Sequence, residues 1–159
     1  QMRNIIVFIL MSLLSTSGIA DNQGMLKGIN EVSILVETLS SDEKTCGLDE
    51  DLIKNEIAYI IGRDLKITEK DSGVCYLYAD PYLLQREEID LCYGTLSLEL
   101  RCFGRFINTV NNGDTGYYTA SLWKTISLVS ASKSVVKENY MDAISDYAKE
   151  FVVDWRQNQ

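Results

Sequence analysis

Three of the chain's four cysteines fall within residues 74–106, VCYLYADPYLLQREEIDLCYGTLSLELRCFGRF, and their spacing constrains the fold more than any other feature. Two long runs, residues 74–85 and 91–110, flank the polar turn Arg86-Glu87-Glu88, and both alternate apolar with polar side chains as half-buried strands do. Closing a hairpin over residues 86–90 sets Cys75 opposite Cys102, Leu77 opposite Leu100, Ala79 opposite Leu98, Pro81 opposite Leu96, Leu83 opposite Gly94 and Gln85 opposite Cys92. One side of that hairpin is almost wholly apolar. The other holds Tyr76, Tyr78, Asp80 and Tyr82 against Tyr93, Thr95, Ser97, Glu99 and Arg101. A slip of one residue would pair inward with outward positions and lose the match.

The register also selects among the three ways of pairing four cysteines. Cys92 and Cys102 lie on one strand, roughly 33 Å apart at about 3.3 Å per residue. Cys75 and Cys92 lie at opposite ends of the hairpin. Neither pair can come within the limit of about 7 Å between Cα atoms that a disulfide allows. The expected bonds are therefore Cys46–Cys92 and Cys75–Cys102, the second requiring a non-hydrogen-bonded pair of residues. Loop-closure entropy gives each about 3.5–4 kcal/mol. There is no Cys-x-x-Cys, and all four positions face the core or are packed, which suits structural sulfur.

Asn111-Asn112-Gly113 signals a second hairpin. Its expected register sets Arg101 opposite Trp123, Phe103 opposite Ser121 and Ile107 opposite Tyr117, so that Tyr76, Arg101 and Trp123 form a row with Tyr78, Tyr93 and Phe103 nearby. An arginine between aromatic rings makes a cation–π stack. Lys124 then falls on the core side beside Leu122 and Ile126, a conflict that a bulge near Trp123 would relieve by reversing the local facing. The candidate interaction face is Tyr76, Tyr78, Tyr93, Arg101, Phe103 and Trp123. It reads either as a solvated sheet surface or as a contact surface for a partner protein, a second copy or a ligand. Pro81 places its strand at a sheet edge or a bulge, where an exposed edge could accept a partner's strand.

Around these hairpins the sequence predicts a strand over 31–39, a polar stretch over 40–48, a helix over 49–64 with Ile53, Ile57, Ile60 and Ile61 on one face, and a short strand over 65–70. A last strand over 116–129 precedes a helix over 135–156, with Val136, Tyr140, Ile144, Tyr147, Phe151 and Trp155 as its inward stripe. The order β-α-β-β-β-β-α implies an α+β two-layer sandwich, a mostly antiparallel sheet with two helices on one face.

Residues 1–20, QMRNIIVFILMSLLSTSGIA, have the positive start, apolar run and small-residue end of a secretory signal peptide. Residues 21–28 are expected to be a flexible lead-in and residues 29–159 a single domain. No cysteine follows the cleavage position, so no stable membrane anchor is expected once the signal is removed. Beyond residue 20 the chain has fourteen basic and twenty-three acidic residues, a net charge of −9. That balance disfavours nucleic-acid binding. The absence of histidine removes the commonest general base and the common zinc sets. The carboxylates show no ligand spacing, and neither metal nor cofactor is expected.

The run CGLDEDLIKNEIAYII, followed by LCYGTLSLEL and a long final helix, resembles a family of small secreted or periplasmic proteins of Gram-negative bacteria. The element order is similar to that of envelope-assembly and transport-accessory lipoprotein domains. The resemblance implies a scaffold or subunit and carries over no catalytic residue. The expected function is a non-enzymatic periplasmic or secreted domain, stapled by two disulfides, that acts on a protein partner or by self-association. The alternative is a periplasmic small-molecule or lipid binder.

Overall fold

The computed structural model describes residues 25–68, 74–108 and 114–159. The proposed signal peptide and the Asn111-Asn112-Gly113 turn lie outside these residues. In chain order the elements are β1 (Glu31–Val36), α1 (Ser41–Thr45), α2 (Glu50–Ile61), β2 (Lys66–Ile67), β3 (Cys75–Arg86), a 3-10 turn (Glu87–Ile89), β4 (Leu91–Asn108), β5 (Asp114–Ser132) and α3 (Lys133–Gln157). The fold is α+β, an open five-stranded sheet in the order β2-β1-β3-β4-β5. The two hairpins are antiparallel, whereas β1 runs parallel to both β2 and β3. Helices α1 and α2, which lie between β1 and β2, supply the crossover that this parallel pair needs.

The β3–β4 register is the expected one throughout, from Cys75 opposite Cys102 to Arg86 opposite Leu91. Both disulfides form as the hairpin geometry requires, Cys46–Cys92 with Cα atoms 6.1 Å apart and Cys75–Cys102 with Cα atoms 4.0 Å apart. The amide of Phe103 donates to the carbonyl of Val74, so the adjoining Cys75/Cys102 pair is the non-hydrogen-bonded kind that brings Cα atoms closest.

One apolar face of the sheet is covered. Helix α2 buries Ile53, Ile57 and Ile61, and Asp49 caps it by accepting from the Leu52 amide at 3.0 Å. Helix α3 buries Val136, Tyr140, Ile144, Ala148, Phe151 and Val152. They meet Leu77, Ala79, Leu83, Leu96, Leu98 and Leu100 from β3 and β4. Tyr147 and Trp155, expected on the inward stripe, pack at its margin and are partly buried.

Two segments depart from the sequence reading. The polar stretch after β1 contains α1, whose Glu43 carboxylate accepts from the Ser40 amide. Residues 25–28 are a turn with Leu26 buried in the core. The two ends of the described chain meet there. The Gln159 side-chain amide donates to the Leu26 carbonyl at 3.1 Å, and the Trp155 indole donates to the Ile29 carbonyl at 2.7 Å.

Candidate functional site

Successive side chains of a strand point to opposite faces, so burying Cys75, Leu77 and Ala79 turns Tyr76, Tyr78, Asp80 and Tyr82 outward, and burying Leu96, Leu98 and Leu100 turns out Tyr93, Thr95, Ser97, Glu99, Arg101 and Phe103. Strand β1 extends this face with Ser33 and Leu35, which pair with Tyr76 and Tyr78.

At its centre is a closed polar network. The Arg101 guanidinium lies 3.9 Å from the centroid of the Tyr78 ring and donates from Nε and Nη2 to Glu99 Oε2 at 2.9 and 2.7 Å. Tyr76 meets Tyr78 edge to face, with centroids 6.5 Å apart, and the Tyr78 hydroxyl donates to Glu37. Burial pushes the Tyr78 phenol up to about 12, helped by its hydrogen bond to Glu37 and the charges of Asp80 and Glu37, against the opposing pull of Arg101. Burial also pushes the Glu99 carboxyl up, but hydrogen bonds from Ser121 and Arg101 and the charges of Arg101 and Lys124 outweigh it and hold the group below its ordinary range. These groups satisfy one another, so the arginine is a structural strut of the face.

Trp123 does not join the row. The β4–β5 ladder pairs Leu100 with Trp123 but Arg101 with Ser121, leaving Leu122 as an extra residue on β5. This bulge reverses the facing of the strand. Trp123 is only 5% exposed, packs edge to face on Phe151 with centroids 5.2 Å apart, and donates its indole N–H to Asp154 at 2.8 Å. The bulge also resolves the Lys124 conflict, because Lys124 now stands outward, opposite Glu99. Of the six expected residues, Tyr76, Tyr78, Tyr93, Arg101 and Phe103 share the open face, and Trp123 belongs to the core.

The same reversal brings out residues that sequence reasoning assigned elsewhere. Ile126, expected inward, is 58% exposed, and Leu128 is 85% exposed. Leu128 and Val129 from β5, Tyr82 and Arg86 from β3, Tyr93 and Thr95 from β4, and Ile89 from the turn line an open, mostly apolar cleft of about 580 Å³. Its floor is Gly94, where a Cβ would stand 1.8 Å from the Tyr82 carbonyl oxygen, so the two backbones approach more closely than a side chain allows.

Strand β3 is the central strand of the sheet and carries no bulge at Pro81, contrary to expectation; Pro81 instead lies beyond the end of β1, at a local edge that is filled. Strand β1 stops pairing at Val36, opposite Ala79, and Pro81 has no N–H to leave unpaired beyond it. The next amides on that side, Leu83 and Gln85, donate to the carboxylates of Glu43 at 3.2 Å and Asp42 at 3.3 Å. Helix α1 thus takes the place of a further strand, and this edge is not available to a partner's strand.

No family model matches the sequence, and no curated protein does. Solved structures that align with the chain include the dodecamer of a PelC variant from Paraburkholderia phytofirmans, at 14% identity and TM-score 0.43, covering 77% of this chain and 85% of that one. A candidate lipoprotein from Caulobacter crescentus aligns at 12% identity and TM-score 0.32, covering 86% and 93% of the two chains. A minor lipoprotein from Acinetobacter baumannii aligns at 12% identity and TM-score 0.29, covering 81% and 90%. At this level of similarity neither family nor function is carried over from any of them.

Proposed function

We propose that this chain is an extracytoplasmic accessory domain of the Gram-negative envelope that works without catalysis, by protein contact through the open face of its sheet. The observation that carries this reading is the apolar surface on that face: Leu35, Tyr82, Phe103, Ile126 and Leu128 are all exposed, while every described helix packs elsewhere. Of these, Tyr82 and Leu128 flank Thr95 across three strands with Ile126 next along β5, and adjoining exposed apolar side chains are a feature of contact surfaces. The two disulfides support an oxidising compartment. Among the described residues no helix is long and apolar enough to cross a membrane. The chain's lack of histidine, and the self-satisfied Arg101–Glu99 network, favour recognition over acid–base chemistry.

The test is photo-crosslinking in cells that export the protein, with the reactive residue at Tyr82 or Phe103 on the open face, or at Leu52 on the exposed side of α2. Discrete protein adducts from the two face positions, and none from Leu52, are expected. Equal labelling from all three positions, or none from the face, would refute the reading. A second reading, binding of an amphiphile, is favoured by the cleft, where Arg86 makes no ion pair among the described residues and adjoins an apolar wall. A copurified ligand in native mass spectra, lost on changing Arg86→Glu, would support it.

A further inference from the structure

The described edges of this sheet differ in how they are protected. The β2 edge is two residues long, and its Lys66 is engaged with Glu31 at 3.2 Å. The β3 edge beyond β1 is filled by Pro81 and the α1 carboxylates. The β5 edge has no such protection. From Trp123 to Ser132 its pairing with β4 is uninterrupted, it contains no proline, and Lys124 is its one charged residue. Edge strands that remain unpaired are usually short or carry several charges, prolines or bulges.

The ladder fixes which groups point to that edge. The Lys133 amide donates to the Asp90 carbonyl, so even-numbered residues of β4 exchange hydrogen bonds with β5. Through the pairs Leu96/Ser127, Leu98/Thr125 and Gly94/Val129, the odd-numbered residues of β5 bond inward. Lys124, Ile126, Leu128 and Ser130 therefore direct their N–H and C=O groups outward. Their side chains stand on the open face, including the exposed Ile126 and Leu128.

We propose that β5 pairs with β5 of a second copy, antiparallel about a two-fold axis at Ser127, joining the two sheets into one. This contact lies at the edge of the sheet, leaves the open face uncovered, and goes beyond the reading of that face as a contact surface. The register follows from self-complementarity. With the axis at Ser127, Ile126 faces Leu128 of the second copy and Leu128 faces Ile126 of the second copy, while Lys124 faces Ser130 of the second copy. Sliding by two residues either way leaves one apolar pair instead of two. The symmetric pairing satisfies the outward backbone groups of residues 124–130 and gathers four exposed aliphatic side chains into one cluster. No acidic residue lies on the joined segment, so the chain's negative charge stays away from the seam.

Sedimentation velocity and residue-resolved hydrogen exchange on the purified, oxidised protein test this. Leu128→Lys sets a charge beside Lys124 of the second copy, and Ser130→Pro removes an outward N–H while sparing the bond to β4. The expected result is a concentration-dependent dimer that both variants return to half its mass, with unchanged circular dichroism. The amides of Ile126 and Leu128 should exchange at least about tenfold faster in the Leu128→Lys variant, with those of Thr125 and Ser127 unchanged. A wild-type protein that stays monomeric, or a dimer whose Ile126 and Leu128 amides are unprotected, overturns the proposal. In that case adducts from Tyr82 and Phe103 to a different protein would leave the contact reading standing, and their absence would remove both.

Discussion

Trp123 and Phe103 show how far one residue's facing changes its role. Trp123→Ala should cost about 3–5 kcal/mol, because it empties a core site and leaves Asp154 without its donor. Phe103→Ala, on the exposed face, should fall within about 1 kcal/mol of wild type. Urea unfolding of the two variants checks the contrast. Glu99 belongs to the same scale. Its carboxyl is held below the ordinary value near 4.5, so it contributes stability that is present above that value and is lost as pH falls through the folded one. Glu99→Gln should flatten the stability profile in that acid range, read as unfolding midpoints across pH. The facing of β3 and β4 was legible in the sequence because their alternation is unbroken and the turn between them is short. The facing of Trp123, Ile126 and Leu128 was not. A single extra residue at Leu122 exchanges the faces of the rest of β5, and alternation alone does not locate it, although the misplaced Lys124 was its visible symptom.

At the scale of elements, close approach and helix length decide what can be read. The β3–β4 contact at Gly94 has no room for a methyl group, so Gly94→Ala should force the strands apart and cost about 1–3 kcal/mol. Thermal unfolding, with loss of the tyrosine near-UV signal, would show it. Helices α2 and α3 were legible because each keeps one apolar face over several turns. Helix α1 was not, since five residues carry no usable period. Its signal was chemical, a serine followed three residues later by a glutamate at Ser40 and Glu43. That glutamate serves twice, at its own helix start and on the Leu83 amide. A polar loop in the sequence is thus the device that closes the sheet beside Pro81.

For the whole molecule, the disulfides link layers as well as strands. Cys46–Cys92 ties the end of α1 to the start of β4, and Cys75–Cys102 clasps the far end of the β3–β4 hairpin. All four cysteines are buried, so reductant should leave both bonds intact in the folded protein and cleave them once urea unfolds it. Mass shift after alkylation, with and without urea, reads this directly. The contact between Gln159 and Leu26 has a separate consequence. Helix α3 begins beside the β3–β4 turn, at the Lys133–Asp90 hydrogen bond, and runs about 37 Å before ending against Leu26. The molecule therefore has two poles. Whatever precedes residue 25 or follows residue 159 departs from one, and the cleft opens at the other. A tag, tether or fused domain attached at either terminus would hold the protein by its heel and leave the cleft pole facing outward.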